Sequence, residues 1–232
     1  MEKPRWGFVD IIVVYLGITA ISTAAAVVAL FTGIGLERDP IRLFIFLFGV
    51  QFAATVLFVY LDAVVFRKST WSNLGLRRVG WQAFANYGLK GGVLLVIMVA
   101  LMGYVLQYFQ PDLEMQEIEQ VLRTAQRLPD IIALVFAGTV LAPVAEELFY
   151  RGMVYPVFRK HLGPAWGAII AGLVFGLAHF DLWRGLPLAV GGAILCYMYE
   201  KSGSILVPMV AHGLWNGTMF AIILLGTCLG IG

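Results

Sequence analysis

Long apolar runs separated by short polar stretches set the pattern of this chain. Residues 8–33, 41–66, 86–109, 130–156, 164–181, 186–200 and 204–229 are each predominantly apolar, and a membrane-spanning helix needs about 20 such residues. The pattern predicts an all-α, polytopic transmembrane helical bundle of about seven spans, with an eighth span as the alternative, in a single domain over residues 1–232. The fifth and sixth runs are the shortest. A turn is expected at Glu37-Arg38-Asp39, with Pro40 placed to open the second helix. Between the third and fourth runs, Leu113, Ile118, Val121, Leu122, Ala125 and Leu128 approximate helical spacing, and Asp112 is a candidate cap. That segment predicts an amphipathic helix lying at the membrane interface, with a lid over a site as the sharper reading.

Composition agrees with this picture. The 232 residues are 60% hydrophobic and 13% charged, far from the roughly 25% charged of soluble domains. A net charge of +2 gives no footing for a nucleic-acid partner. Cys196 and Cys228 lie in apolar runs and form no disulfide framework. The first run exceeds the roughly 7–15 residue core of a signal peptide, so it reads as a retained span, although Ala24-Ala25-Ala26 leaves a cleavage reading open. With the N-terminus inside, the cytoplasmic connections hold Lys3, Arg5, Arg67, Lys68, Arg77, Arg78, Lys90, Arg159, Lys160 and Lys201, against Arg38, Arg42, Arg123, Arg127 and Arg184 outside. The positive-inside rule therefore favours a cytoplasmic N-terminus in a multi-pass protein of the cell membrane.

The chemistry sits where polar groups are costly. The stretch Leu141–Gly152 carries Glu146, Glu147 and Arg151 inside a spanning run, where each charge costs about 2.5–3.5 kcal/mol on the insertion scale. Glu147 and Arg151 are four residues apart and predict an in-helix ion pair. Glu146 is turned about 100° away and is the chemical candidate. His179 ends the fifth run, and His212 and Asn216 share one face of the last; the third histidine, His161, sits in a connection. Pro143 and Pro208 precede two of these sites and are expected to free carbonyls near Thr139 and Ser204. Gly172, Gly176, Gly191, Gly192 and Gly213 would let the helices approach closely.

A carboxylate, two imidazoles and a carboxamide permit water activation. No serine or cysteine stands beside a histidine in a nucleophile-like context, and HExxH is absent. In one version Glu146 is a general base, His179 orients the water, and His212 with Asn216 donates to the oxyanion. In the other, Glu146, His179 and His212 hold zinc. A small transporter using Glu146 as a proton relay is a rival, weakened by the lack of an inverted repeat. A non-catalytic immunity or scaffold protein is another.

Glu146-Glu147-x-x-x-Arg151, Phe175-x-x-x-His179 and His212-x-x-x-Asn216 resemble the three motifs of the CAAX protease and bacteriocin-processing family of intramembrane endopeptidases, over about residues 130–220. The resemblance implies a glutamate-and-histidine protease built wholly of helices, with Glu146, His179, His212 and Asn216 at its centre and Glu147, Arg151 and Phe175 in support. It also implies a peptide or protein substrate, in some relatives with a lipidated C-terminus, and leaves the metal open.

Overall fold

Helices account for the fold, and each boundary has a local cause. The computed structural model describes residues 3–32, 40–111 and 113–230; the expected turn at Glu37-Arg38-Asp39 and the Asp112 cap lie outside them. α1 runs Phe8–Thr32, α2 Pro40–Phe66 and α3 Trp81–Phe109. Pro40 opens α2 as its spacing suggested, since the first turn needs no N–H from it. A short α4, Glu117–Thr124, follows. α5 covers Leu128–Leu177, α6 Leu182–Ser202 and α7 Leu206–Leu229.

The 50-residue α5 is two rods. Gly163 adopts φ 76° and is followed by Pro164, a left-handed residue and a ring that together stop a helix. The chain folds back there, so that the rings of Tyr150 and Phe175 meet at 5.0 Å. The two expected runs 130–156 and 164–181 are thus the two arms of α5. The sixth run is longer than expected, because Asp181 caps α6 by accepting from the Arg184 N–H. Gly203, at φ 70°, closes the same helix.

Five helices, α1, α2, α3, α5 and α7, are long and apolar enough to cross a membrane. With α5 reversed and α6 beside it, the seven expected runs all correspond to helical rods. No eighth long helix occurs among the described residues. The chain is a multi-pass, all-helical membrane bundle.

Two sequence expectations fail. The amphipathic segment forms a helix over eight residues only, and Leu128 belongs to α5. In α4, Leu122 is buried against Ile41, Leu134 and Phe220 of α2, α5 and α7. Pro208 lies in the first turn of α7, where the helix has no bond to lose. No break forms there, and the Ser204 carbonyl is engaged by Ser202 Oγ at 3.1 Å.

The glycines behave as read. A Cβ on Gly172 would stand 2.4 Å from the Ala189 carbonyl, and one on Gly176 2.3 Å from that of Gly185. The second arm of α5 therefore packs backbone to backbone on α6, as small residues allow.

Candidate active site

Pro143 shapes the first arm of α5 around the paired glutamates. Its missing N–H and its ring disturb the regular ladder. The arm responds with π-helical turns at Ala137–Leu141 and Glu147–Val154, on either side of an α-helical turn Ala142–Glu146. Such widened turns are frequent at functional sites. The carbonyl of Thr139, the one Pro143 was expected to free, faces Gly213 of α7, where a Cβ would lie 2.7 Å from it. Its neighbour, the Gly138 carbonyl, accepts from Asn216 Nδ2 at 2.8 Å. α7 thus re-satisfies the backbone that proline disturbs.

The two glutamates separate as their spacing predicts. Glu147 is fully buried and accepts from Arg151 Nη1 at 2.8 Å. Arg151 reaches on to the Gly192 carbonyl at 2.9 Å and lies 4.7 Å above the Phe175 ring. The same ring meets His179 at 4.8 Å and His212 at 5.9 Å. Phe175 is the wall against which both imidazoles and the guanidinium rest. Glu146 keeps 30% of its side chain exposed, and its Oε2 stands 3.8 Å from His212 Nε2.

One contact was not legible beforehand. His212 Nδ1 lies 2.8 Å from Glu147 Oε1, so Glu147 orients His212 as well as pairing with Arg151. Because a carboxylate accepts, Nδ1 carries a proton, and Nε2 faces Glu146. His179 Nδ1 likewise donates to the Phe175 carbonyl at 2.8 Å, which leaves its Nε2 unbonded. Each imidazole is held at one nitrogen and offers the other, as outer hydrogen bonds typically arrange.

These side chains share a space. Glu146, His179, His212 and Asn216 all line a cavity of about 850 Å³, whose walls are largely apolar residues of α2, α3 and α7. A smaller cavity of about 230 Å³, between α1, α2 and α5, meets the same Glu146 and His179. Glu147 and Arg151 lie behind the wall. Leu113, Gln116, Glu117, Ile118 and Glu119 line the larger cavity from the segment around α4, which forms part of its wall. Arg184 ties this segment down by donating to the Glu114 carbonyl. The sequence had not singled out Arg184; its only signal was a charge close after His179.

Among the described residues, no three His, Cys, Asp or Glu side chains group closely enough to hold a metal ion. Glu146, His179 and His212 are not such a group as placed.

Residues 128–218, the segment that carries Glu146, His179, His212 and Asn216, match the family described as type II CAAX prenyl endopeptidase Rce1-like. Over that segment, less than half of its length, the chain is similar to the CAAX protease family. Among curated proteins it is similar to the "Putative membrane peptidase YdiL" of Bacillus subtilis, at 22% identity over 61% of this chain and 62% of that protein. It is also similar to the uncharacterized protein YyaK of the same organism, at 31% identity over 60% of this chain and 47% of YyaK. A 24.3 kDa protein of Escherichia coli is 34% identical over 37% of this chain and 42% of its own length. The chain thus spans less than two thirds of each of these relatives. No solved structure matches it significantly. The family match begins and ends within two residues of the segment outlined by the motifs, and α1 to α4 lie outside it.

Proposed function

We propose that this chain belongs to the CAAX protease family and is an intramembrane endopeptidase of the cell membrane that hydrolyses a peptide bond with water activated by Glu146. The observation that carries the reading is the division of the glutamate pair. Glu147 is sealed in a charge network, while Glu146 faces an 850 Å³ cavity together with two imidazoles and a carboxamide.

Glu146 takes a proton from a water that His179 Nε2 holds by accepting its other hydrogen. The hydroxide oxygen attacks the scissile carbonyl carbon. His212, protonated at Nε2 and balanced by Glu147, donates to the developing oxyanion together with the second N–H of Asn216 Nδ2. The first N–H of that amide is occupied by Gly138, which fixes its direction. Collapse of the intermediate breaks the C–N bond, and Glu146 returns its proton to the leaving amine. The apolar cavity walls suit a substrate with a lipidated or strongly hydrophobic end, and the water-poor surroundings strengthen each of these contacts.

The test is mass-resolved cleavage of a hydrophobic and of a lipidated reporter peptide by purified protein, with and without a strong chelator, and with metal content measured on the same sample. Cleavage that survives the chelator and is absent in Glu146→Ala supports the reading. Cleavage that vanishes with the metal and returns on its addition would overturn the metal-free mechanism. Full cleavage by Glu146→Ala would overturn the site. A scaffold or immunity role predicts no cleavage at all and a phenotype untouched by His179→Ala.

A further inference from the structure

The bundle has two chemically different ends, and the cavity belongs to one of them. At the first end, four connections are joined. Arg5 Nη1 donates to the Lys68 carbonyl at 2.7 Å, and the Ile205 N–H to that of Gly75 at 2.9 Å. Arg159 pairs with Glu200 at 2.7 Å, and the Phe8 ring stacks on His161 at 5.3 Å. This end carries Lys3, Arg5, Arg67, Lys68, Arg77 and Arg78 from the first half of the chain, and Arg159, Lys160 and Lys201 from the second. Its described acids are Asp10, Asp62 and Glu200, so nine bases face three acids.

The opposite end gathers the start of α2, the segment around α4 and the turn between α5 and α6, the last two joined by Arg184 and the Glu114 carbonyl. Its described bases are Arg42, Arg123, Arg127 and Arg184, against Glu114, Glu117, Glu119, Asp130 and Asp181, four against five. Gln107, Gln110, Gln116 and Glu117 line the large cavity from this end, and no residue of the first end's four connections lines it.

Lysine and arginine in short connections are retained on the cytoplasmic side during insertion. We propose that the cavity ending on Glu146 opens to the extracytoplasmic side of the membrane, and that the peptide it takes is therefore presented from outside: an exported peptide, or the outer end of a membrane-anchored one. The word peptide rests on the function proposed above; the direction of opening rests on charge and geometry alone. A substrate made and held in the cytoplasm would meet the basic end, where α5 turns at Gly163 and the cavity does not reach.

Single cysteines in a Cys228→Ser background, with Cys196 buried, test the direction without any assay of activity. A maleimide too polar to cross the membrane is applied to intact cells and then to lysed ones. Gln116→Cys, or Gln120→Cys should the first variant fail to accumulate, is expected to label in intact cells. Ser72→Cys is expected to label only after lysis. Labelling of Ser72→Cys in intact cells, alone or together with the cavity end, overturns the proposal. A membrane-impermeant reporter peptide added to right-side-out and inverted vesicles gives the second arm. Cleavage confined to right-side-out vesicles supports the proposal, and cleavage confined to inverted ones overturns it. Absence of cleavage in both, with the labelling as expected, counts against the peptidase reading and leaves the direction standing.

Discussion

His212 donates from Nδ1 to Glu147 Oε1 at 2.8 Å while its Nε2 stands 3.8 Å from Glu146 Oε2. One imidazole therefore links the buried glutamate to the exposed one. Adjacent residues of the same type are placed unequally by it: Glu147 fixes the orientation of His212, and Glu146 faces the cavity. Replacing the two should have opposite signatures. Glu147→Ala leaves Arg151 as an uncompensated buried cation and strips His212 Nδ1 of its acceptor, and is expected to destabilise by about 3–5 kcal/mol, read as a lowered Tm. Glu146→Gln, at a half-exposed position, should leave Tm within a degree or two of wild type (about 0.5 kcal/mol or less). Equal losses in both variants would refute the division.

Asn216 separates positioning from binding. With one amide N–H on the Gly138 carbonyl and the other toward the oxyanion, Asn216→Ala should lower kcat by roughly 10²–10³-fold and leave KM nearly unchanged. A change confined to KM would place Asn216 in substrate binding instead.

The packing of α5 on α6 has no slack at Gly176. A methyl group there would stand 2.3 Å from the backbone oxygen of Gly185, and backbone does not yield as a side-chain tip does. Gly176→Ala should cost about 1–3 kcal/mol and displace His179, three residues on, so that activity falls with stability. Gly49, which meets nothing within 4 Å, is the control and should accept alanine without loss of either.

Stability should also depend on pH through the cap of α6. Burial raises the Asp181 carboxyl, yet the bonds from the Arg184 N–H at 2.9 Å and guanidinium at 2.7 Å outweigh it and hold the group below its ordinary 3.8. A carboxylate lowered by folding contributes stability that is complete above its unfolded pKa and is lost as pH falls through the folded one. Asp181→Asn should therefore lower Tm at neutral pH, and the gap to wild type should close as the pH drops below about 3.8. A gap that widens in acid would show that Asp181 is not held ionised.

Much of this architecture is legible in the sequence because membrane burial leaves a strong trace. The seven apolar runs, the ion pair of Glu147 with Arg151 and the close glycines all follow from local spacing and composition. The bond from His212 to Glu147 was invisible because it joins residues 65 apart in the chain and depends on how α7 docks. Pro143 and Pro208 look alike in sequence, yet Pro143 lies deep within its helix and Pro208 in the first turn of its own. The amphipathic pattern over Leu113–Leu128 correctly marks an apolar face, and the packing of Leu122 on Ile41, Leu134 and Phe220 depends on the tertiary fold. Arg184 could not be singled out, since its role depends on the fold of residues 113–116 above it.

The proposed role of Glu146 is to activate water for hydrolysis while the rest of the motif positions it. The most direct measurement is kcat for reporter cleavage by Glu146→Gln, with Tm taken on the same preparation. The account predicts a fall on the order of 10²–10⁴-fold at unchanged Tm. Wild-type turnover in a folded Glu146→Gln protein would contradict it.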